Sequence, residues 1–432
     1  MLNKKFRIFL NVSLVLCFLL AIGVSAQDDV IEIEYWQYFF AERQEAMNML
    51  IEQFEAENPD IRVIHNSDIA YDNFRTEIAT AAAGGVGPDV VTLFYGWIPA
   101  FVDAGYLVPL PEPFTQEYIN ENFVPMVAGS AAFEGEVWAV PTAVRSLALF
   151  YNSDLLEAAG YDGPPETLEE FKEMAVAATV YDGEPSLDNI VTEGYAVEMA
   201  GQAHHWFREA LVRQFGGVPY NEDYTEVLWN SPEGCEAFAW LTEFETDLLT
   251  GTSEGIGGTE DANTAFVNGL AALHIDGSFR LGAARNNEDL NFGIAELPMG
   301  PNGEHHTYGS YWTHGITRRA AEDEARMEAA TRFLEFITSS EAGTLWLNEV
   351  GELPAQIEAA NDPELLEDPT IGPFVAGLPY SHATFFVDES QQRQVFIDAF
   401  DLVRLSGVDP CDALDEMAAV EQELLDDFWE SR

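Results

Sequence analysis

The stretch AAAGGVGPDVVTLFYGW, Ala81 to Trp97, sets a glycine cluster in front of an apolar run and closes the run with Phe94, Tyr95 and Trp97. A phosphate-binding fingerprint needs its glycines after a strand and at the start of a helix, where backbone N–H groups converge on the anion. Here the order is reversed. Gly84, Gly85 and Gly87 follow the helical pattern of Phe74 to Ala83 and precede the strand DVVTLF, and no Lys follows them. The glycines therefore end a helix and Pro88 opens a strand. A helix handing over to a strand is half of an α/β alternation, and the aromatics at the strand's end remain to be explained.

Outward from this point the alternation continues in both directions. In DVIEIEYWQYF (29–39), Ile31, Ile33 and Tyr35 alternate with Glu32 and Glu34, which predicts a strand. Ala46, Met47, Leu50, Ile51 and Phe54 recur at helical spacing until Asn58-Pro59 stops them. DIRVIHNS (60–67) is a second strand, and Ile98 to Ala104 a further helix. Strands alternating with helices imply a parallel sheet covered on both faces. VWAVPTAVRSLALFYN (137–152) begins and ends extended around Pro141. Helices are then expected at 155–159, 167–179, 206–215, 232–249, 262–268 and 321–339, with short strands at LAALHIDG (270–277) and NFGIAELP (291–298). No internal repeat and no low-complexity linker interrupts the chain.

At 432 residues the chain exceeds the usual single core, so two domains are expected. Residues 1–26 differ in kind: Lys4, Lys5 and Arg7 precede an uncharged run to Gly23 and then Val24-Ser25-Ala26, the pattern of a secretory signal peptide cleaved before Gln27. Cys17 follows Leu16 inside the apolar run, where a lipidated cysteine would need a small residue before it. An exported chain, periplasmic or extracellular, is expected. Cys235 and Cys411 then remain, and a disulfide between them is allowed without being required. Taking the three basic residues of the signal from 19 leaves 16 against 75 acids, a charge of −59. Nucleic acid and anionic membrane surfaces are poor partners, because the phosphate term is repulsive. The acids are scattered through helices and turns, which serves solubility or a saline habitat.

An ordered set of motifs carries a resemblance: LIEQFEAENPDIRV (50–63), GGVGPDVVTL (84–93), FVDAGYLVPL (101–110), EGEVWAVPTAVRSLALFYNSDLLEAAG (134–160), PPETLEEF (164–171), VLWNSPEGCEAF (227–238), AFVNGLAALHIDGSFR (265–280) and EAATRFLEFITSSEAG (328–343). In this order, over nearly the whole mature chain, they resemble the extracellular solute-binding proteins of ABC sugar importers, the family that includes maltose-binding protein. The resemblance implies an α/β, two-lobe periplasmic-binding-protein-like fold with several hinge crossings, near Val144, Tyr311 and Glu352. It implies an N-terminal lobe of 27–144 completed by about 312–352, and a C-terminal lobe of 145–311 completed by about 353–432. The implied function is a receptor, expected to be a monomer, that closes on a sugar and delivers it to membrane permease subunits. A non-sugar solute such as a polyol or glycerol phosphate is the alternative. No cofactor and no metal are expected.

Sugar recognition needs flat apolar faces for pyranose C–H groups and planar polar groups for hydroxyls. By the resemblance, Gln37 and Tyr38 lie in the first ligand loop, while Trp36 continues the strand's alternation and stays open between core and ligand. Tyr95 and Trp97 leave a strand's carboxyl end, where ligand crevices of open α/β sheets form. Arg145 beside the hinge needs either a carboxylate or the ligand as partner, since an unpaired buried charge is costly. Trp206 matches the position that stacks on the sugar, and His204 that of a polar contact. Phe279 follows the Gly-Ser turn in place of the commoner Trp. Asp276 and Arg280 either pair together or touch ligand. Tyr311 and Trp312 stand at the second crossing, and of Phe385 and Phe386 one is expected in the core and Phe385 at the site. A glycoside hydrolase would need two carboxylates across a cleft, and no acid sits in a motif that singles it out. His204-His205 and His305-His306 do not make a metal site, because neighbours in sequence rarely face one ion together and no Cys cluster or H-E-x-x-H accompanies them.

Overall fold

The computed structural model describes residues 30–197, 202–253, 255–259 and 261–431; the signal peptide expected at 1–26, with Cys17, lies outside them. The first units form as their patterns require. Strand β1 (Ile31–Tyr38) buries Ile33 and Tyr35 and exposes Glu32. The helix Ala41–Glu57 buries Ala46, Met47, Leu50, Ile51 and Phe54. Strand β2 (Ile61–Ile69) follows, then the helix Tyr71–Ala83 and β3 (Val90–Phe94). Gly85, at φ 68°, takes the left-handed turn that ends the helix and returns the chain to the sheet.

Strands β4 (Ala132–Phe133) and β5 (Glu136–Val137) make a separate hairpin before β6 (Ala139–Asn152). The remaining strands are β7 (Val180–Tyr181), β8 (Ile190–Tyr195), β9 (Ala271–Gly277), β10 (Phe292–Ala295), β11 (Thr307–Ile316), β12 (Leu353–Pro354) and β13 (Ser381–His382). The main sheet runs β2-β1-β3-β11-β6-β9-β8-β7. The pairs β1–β2, β1–β3 and β8–β9 are parallel, as the alternation predicts. The centre is not: β11 runs antiparallel to both β3 and β6, and β6 antiparallel to β9. Segments that return from the far half of the molecule enter from the opposite end, so the sheet is antiparallel where the chain crosses, as it is at its far edge, where β7 pairs antiparallel with β8.

The crossings are visible in the register. Ala139 to Ser146 of β6 pair with β11, whereas Leu147 to Tyr151 pair with β9, so one strand serves both halves. Val144 lies opposite Tyr311 of β11 and opposite Leu353 of β12, which brings the three segments expected to cross to one point.

Two hydrophobic cores flank that point. One gathers Ile33, Leu50, Phe54, Val91, Phe333 and Leu334. The other gathers Phe171, Tyr195, Trp206, Phe238, Leu241 and Phe400. The helix expected over 321–339 is divided: Asp323 accepts a hydrogen bond from the backbone N–H of Arg326 and starts the helix Glu324–Ile337 afresh after a short Arg318–Ala321 turn. Cys235 and Cys411 form a disulfide, with Cα atoms 5.0 Å apart, that fastens the helix Pro232–Thr246 to the last helix, Pro410–Glu430. Among the described residues no helix is long and apolar enough to cross a membrane.

Candidate functional site

Between the two cores the crossing strands floor a cavity of about 370 Å³. Tyr38, Phe40, Tyr71, Phe94 and Trp312 line it on one side, His205, Phe279 and Arg393 on the other, and Arg145, Tyr308 and Ser310 rise from the floor. Phe40 and Tyr71 are 43% and 51% exposed, so flat apolar faces are open to a ligand. A second compartment of about 360 Å³ adjoins it, lined by Tyr95, Phe133, Tyr224, Phe385, Phe386 and Trp429. Phe94 and Phe386, with ring centroids 5.9 Å apart, stand between the two.

The floor is held by one buried carboxylate. Glu352 pairs with Arg43, lies 3.4 Å from Arg145 Nε, and accepts a 2.8 Å hydrogen bond from Trp346 Nε1. Burial would raise its pKa, but Arg43 and Arg145 outweigh that and hold it below the ordinary glutamate value. The Arg43 guanidinium lies 5.8 Å from the Trp312 ring centroid and that of Arg145 5.4 Å from Phe279, so both ring walls are backed by cations. His205 stacks on Tyr308 at 4.0 Å with the planes 2° apart. Burial, reinforced by His204, Arg393, Arg208 and Arg145, drives its pKa well below the usual imidazole value, so the ring is neutral.

The structure brings Tyr38, Arg145, Phe279 and Trp312 together in the main cavity and places Tyr95 and Phe385 in the adjoining one. Arg145 has the carboxylate partner, Glu352, behind it and lines the cavity in front. Phe385 is stacked with Tyr224 at 4.6 Å, while Phe386 is 2% exposed in the core.

Other expected contacts are corrected. Trp206 is fully buried among Phe171, Tyr195 and Trp240, because the second core closes around it; it offers no face to the cavity. Trp97 packs against Phe101 and edge-on to Trp312, supporting the wall from behind. Tyr311 is buried, stacked on Tyr95 and hydrogen-bonded to Ser130 at 2.6 Å. Gln37 is 2% exposed beneath the floor, 3.4 Å from the Tyr35 hydroxyl that donates to it. His204 is buried behind His205. Asp276 and Arg280 pair at 3.2 Å, the structural of the two readings. Trp36, half-buried, donates to Glu34 at 3.3 Å.

Several lining residues were not singled out by the sequence. Residues 206–211 form a π-helical turn; His205, just before it, lines the cavity, while Trp206, the next residue, faces the core. Phe39 and Phe40, two large exposed apolar residues after β1, were a usable signal. Arg43, Tyr71, Tyr308 and Arg393 sit on ordinary helix and strand patterns that mark none of them out.

Sequence and structure comparisons place this geometry. The chain is 25% identical over 354 residues to a maltotriose-binding protein of Pyrococcus abyssi, covering 82% of this chain and 72% of the relative. It is 21% identical over 358 residues to the sn-glycerol-3-phosphate-binding periplasmic protein of Escherichia coli, covering 78% and 77%. Among solved structures, the cyclic alpha-maltosyl-1,6-maltose binding protein of Arthrobacter globiformis superposes with a TM-score of 0.79 at 21% identity, over 91% of this chain and 99% of that one. The sugar-binding protein of Xanthomonas citri superposes with a TM-score of 0.77 at 19% identity, over 92% and 98%. At these identities the likeness establishes the two-lobe α/β fold. The model of the bacterial extracellular solute-binding protein family matches residues 40–344, well over half of the sequence, and with the crossing strands and the cavity between two cores it makes this chain a member of that family.

Proposed function

We propose that the chain is an extracytoplasmic receptor that binds a carbohydrate between its lobes and delivers it to the permease subunits of an ABC importer. The observation that carries this reading is the interlobe cavity, where aromatic rings (Phe40, Tyr71, Phe279, Trp312 and the largely buried Tyr38) surround planar polar groups (Arg145, His205, Gln202). Aromatic faces suit pyranose C–H surfaces and planar donors suit vicinal hydroxyls. The maltotriose named for one relative and the sugars named for the structural neighbours point the same way. The N-terminal lobe is 27–144 completed by 312–352, the C-terminal lobe 145–311 completed by 353–432, and the two close about Val144, Tyr311 and Glu352. Tyr95 and Phe385 extend the contact into the second compartment. The protein is a monomeric binder without catalysis, made with a cleaved signal peptide and working in the periplasm or outside the cell. The sn-glycerol-3-phosphate named for the other relative keeps a non-sugar solute as the second reading. A thermal-shift panel of mono- and oligosaccharides, polyols and sn-glycerol 3-phosphate, followed by calorimetry of each hit, tests it. A stabilising sugar that binds with one-to-one stoichiometry is the expected result; binding of sn-glycerol 3-phosphate or a polyol but of no sugar would transfer the assignment to the second reading.

A further inference from the structure

The cavity reverses the charge of the chain that builds it. Acids outnumber Lys and Arg by 75 to 19 over the whole sequence, yet the main cavity is lined by Arg43, Arg145 and Arg393 against the single acid Glu389. Glu352 behind the floor is shared by Arg43 and Arg145, and Glu389 is paired with Arg393, so one positive charge is left without a carboxylate. Of the buried carboxylates nearby, Glu209 pairs through one oxygen with Arg213 at 3.3 Å and Asp276 pairs with Arg280 at 3.2 Å. Arg43 Nε, Arg393 Nε and His205 Nδ1 are buried without a hydrogen-bond partner among the described residues, as is Glu209 Oε1, while Arg145 Nε faces Glu352 at 3.4 Å. The second compartment has the opposite character, with Glu134, Glu222 and Asp223 at its rim and no basic residue in its lining.

We propose that the ligand is an acidic carbohydrate, carrying a carboxylate or a phosphate, whose anionic group sits on Arg145 and Arg393 while its neutral, hydroxyl-rich end lies toward Tyr224 and Phe385. This rests on the carbohydrate reading above and adds the charge and the orientation. A guanidinium fork matches a carboxylate or phosphate with two parallel hydrogen bonds, which a neutral hydroxyl cannot reproduce. The neutral His205 ring, held so by burial and by surrounding cations, supplies one further donor or acceptor without adding charge.

The test is calorimetric titration of the full mature protein at fixed ionic strength with digalacturonate, glucose 6-phosphate and maltotriose. At least one anionic probe is expected to bind tenfold or more tightly than maltotriose; which one does so distinguishes carboxylate from phosphate. Arg145→Gln and, independently, Arg393→Gln should each reduce that anion's affinity at least tenfold, and Arg145→Lys should recover part of the loss. Using Arg393, on a helix away from the crossing, keeps the test decisive if the Arg145 variant fails to fold. Maltotriose binding as tightly as both anions overturns the proposal and leaves the receptor reading standing. Failure of every sugar, neutral and acidic, overturns both.

Discussion

Replacing Glu352 by Gln isolates the charge at the crossing point. The amide keeps the shape of the side chain and an oxygen for the Trp346 Nε1 hydrogen bond, so what is lost is the negative charge between two guanidiniums. The side chains of Glu352 and Arg43 are 6% and 7% exposed, and that of Arg145 is 17% exposed. Breaking a buried pair by removing one partner costs about 3–5 kcal/mol, because the other charge stays buried and uncompensated. Arg145, nearer solvent, adds little, so Glu352→Gln is expected to lower the unfolding free energy of the ligand-free protein by about 3–5 kcal/mol at pH 7. Urea unfolding followed by tryptophan fluorescence, with the slope compared between the two proteins, measures it. The pH dependence gives a second check. The folded-state pKa of Glu352 is lowered, so its contribution is fully present above the unfolded glutamate value and is lost as pH falls through the lower folded value. The stability difference between wild type and variant should therefore be constant above about pH 5 and shrink in acid. A difference under about 1 kcal/mol at pH 7 would refute the claim that this carboxylate holds the floor together.

Trp206→Ala should destabilise the ligand-free fold by about 3–5 kcal/mol by opening a cavity in the second core; unchanged apo stability in urea would place the ring outside that core. Phe279→Ala, at the half-buried cavity wall, should instead weaken ligand binding about tenfold or more with little change in apo stability, and calorimetry beside apo melting separates the two effects. Replacing both Cys235 and Cys411 with Ser removes a link spanning 176 residues and is expected to cost about 2–5 kcal/mol in urea unfolding, whereas equal stability would show that the helices need no fastening. Melting temperature should rise from low salt to about 0.1 M, where the Debye length falls to about 10 Å and the repulsion of a strongly acidic chain is screened; a flat curve would remove self-repulsion as a determinant.

What the sequence by itself determined was local and periodic. The period-two pattern of Ile31 to Tyr35, the helical spacing of Ala46 to Phe54 and the glycine stop after Ala83 set the α/β units, because each depends on neighbours within a turn or two of chain. Motif order carried the family and the expectation of three crossings, and it pointed to Arg145, Phe279 and Trp312, which line the cavity. Only the tertiary structure decided which aromatics face the cavity. Trp206 and His205 are adjacent in sequence, yet one is buried in the core and the other stacks on Tyr308 at the cavity, and nothing in residue type records which way that helix is turned. Glu352 is one of 75 acids, and its role arises because β12 sets it beside Arg43 and Arg145, hundreds of residues away in the chain. Charge reversal in the cavity is of the same kind: composition fixes a strongly negative molecule, while the positions of three arginines around one space depend on long-range packing that no local pattern encodes.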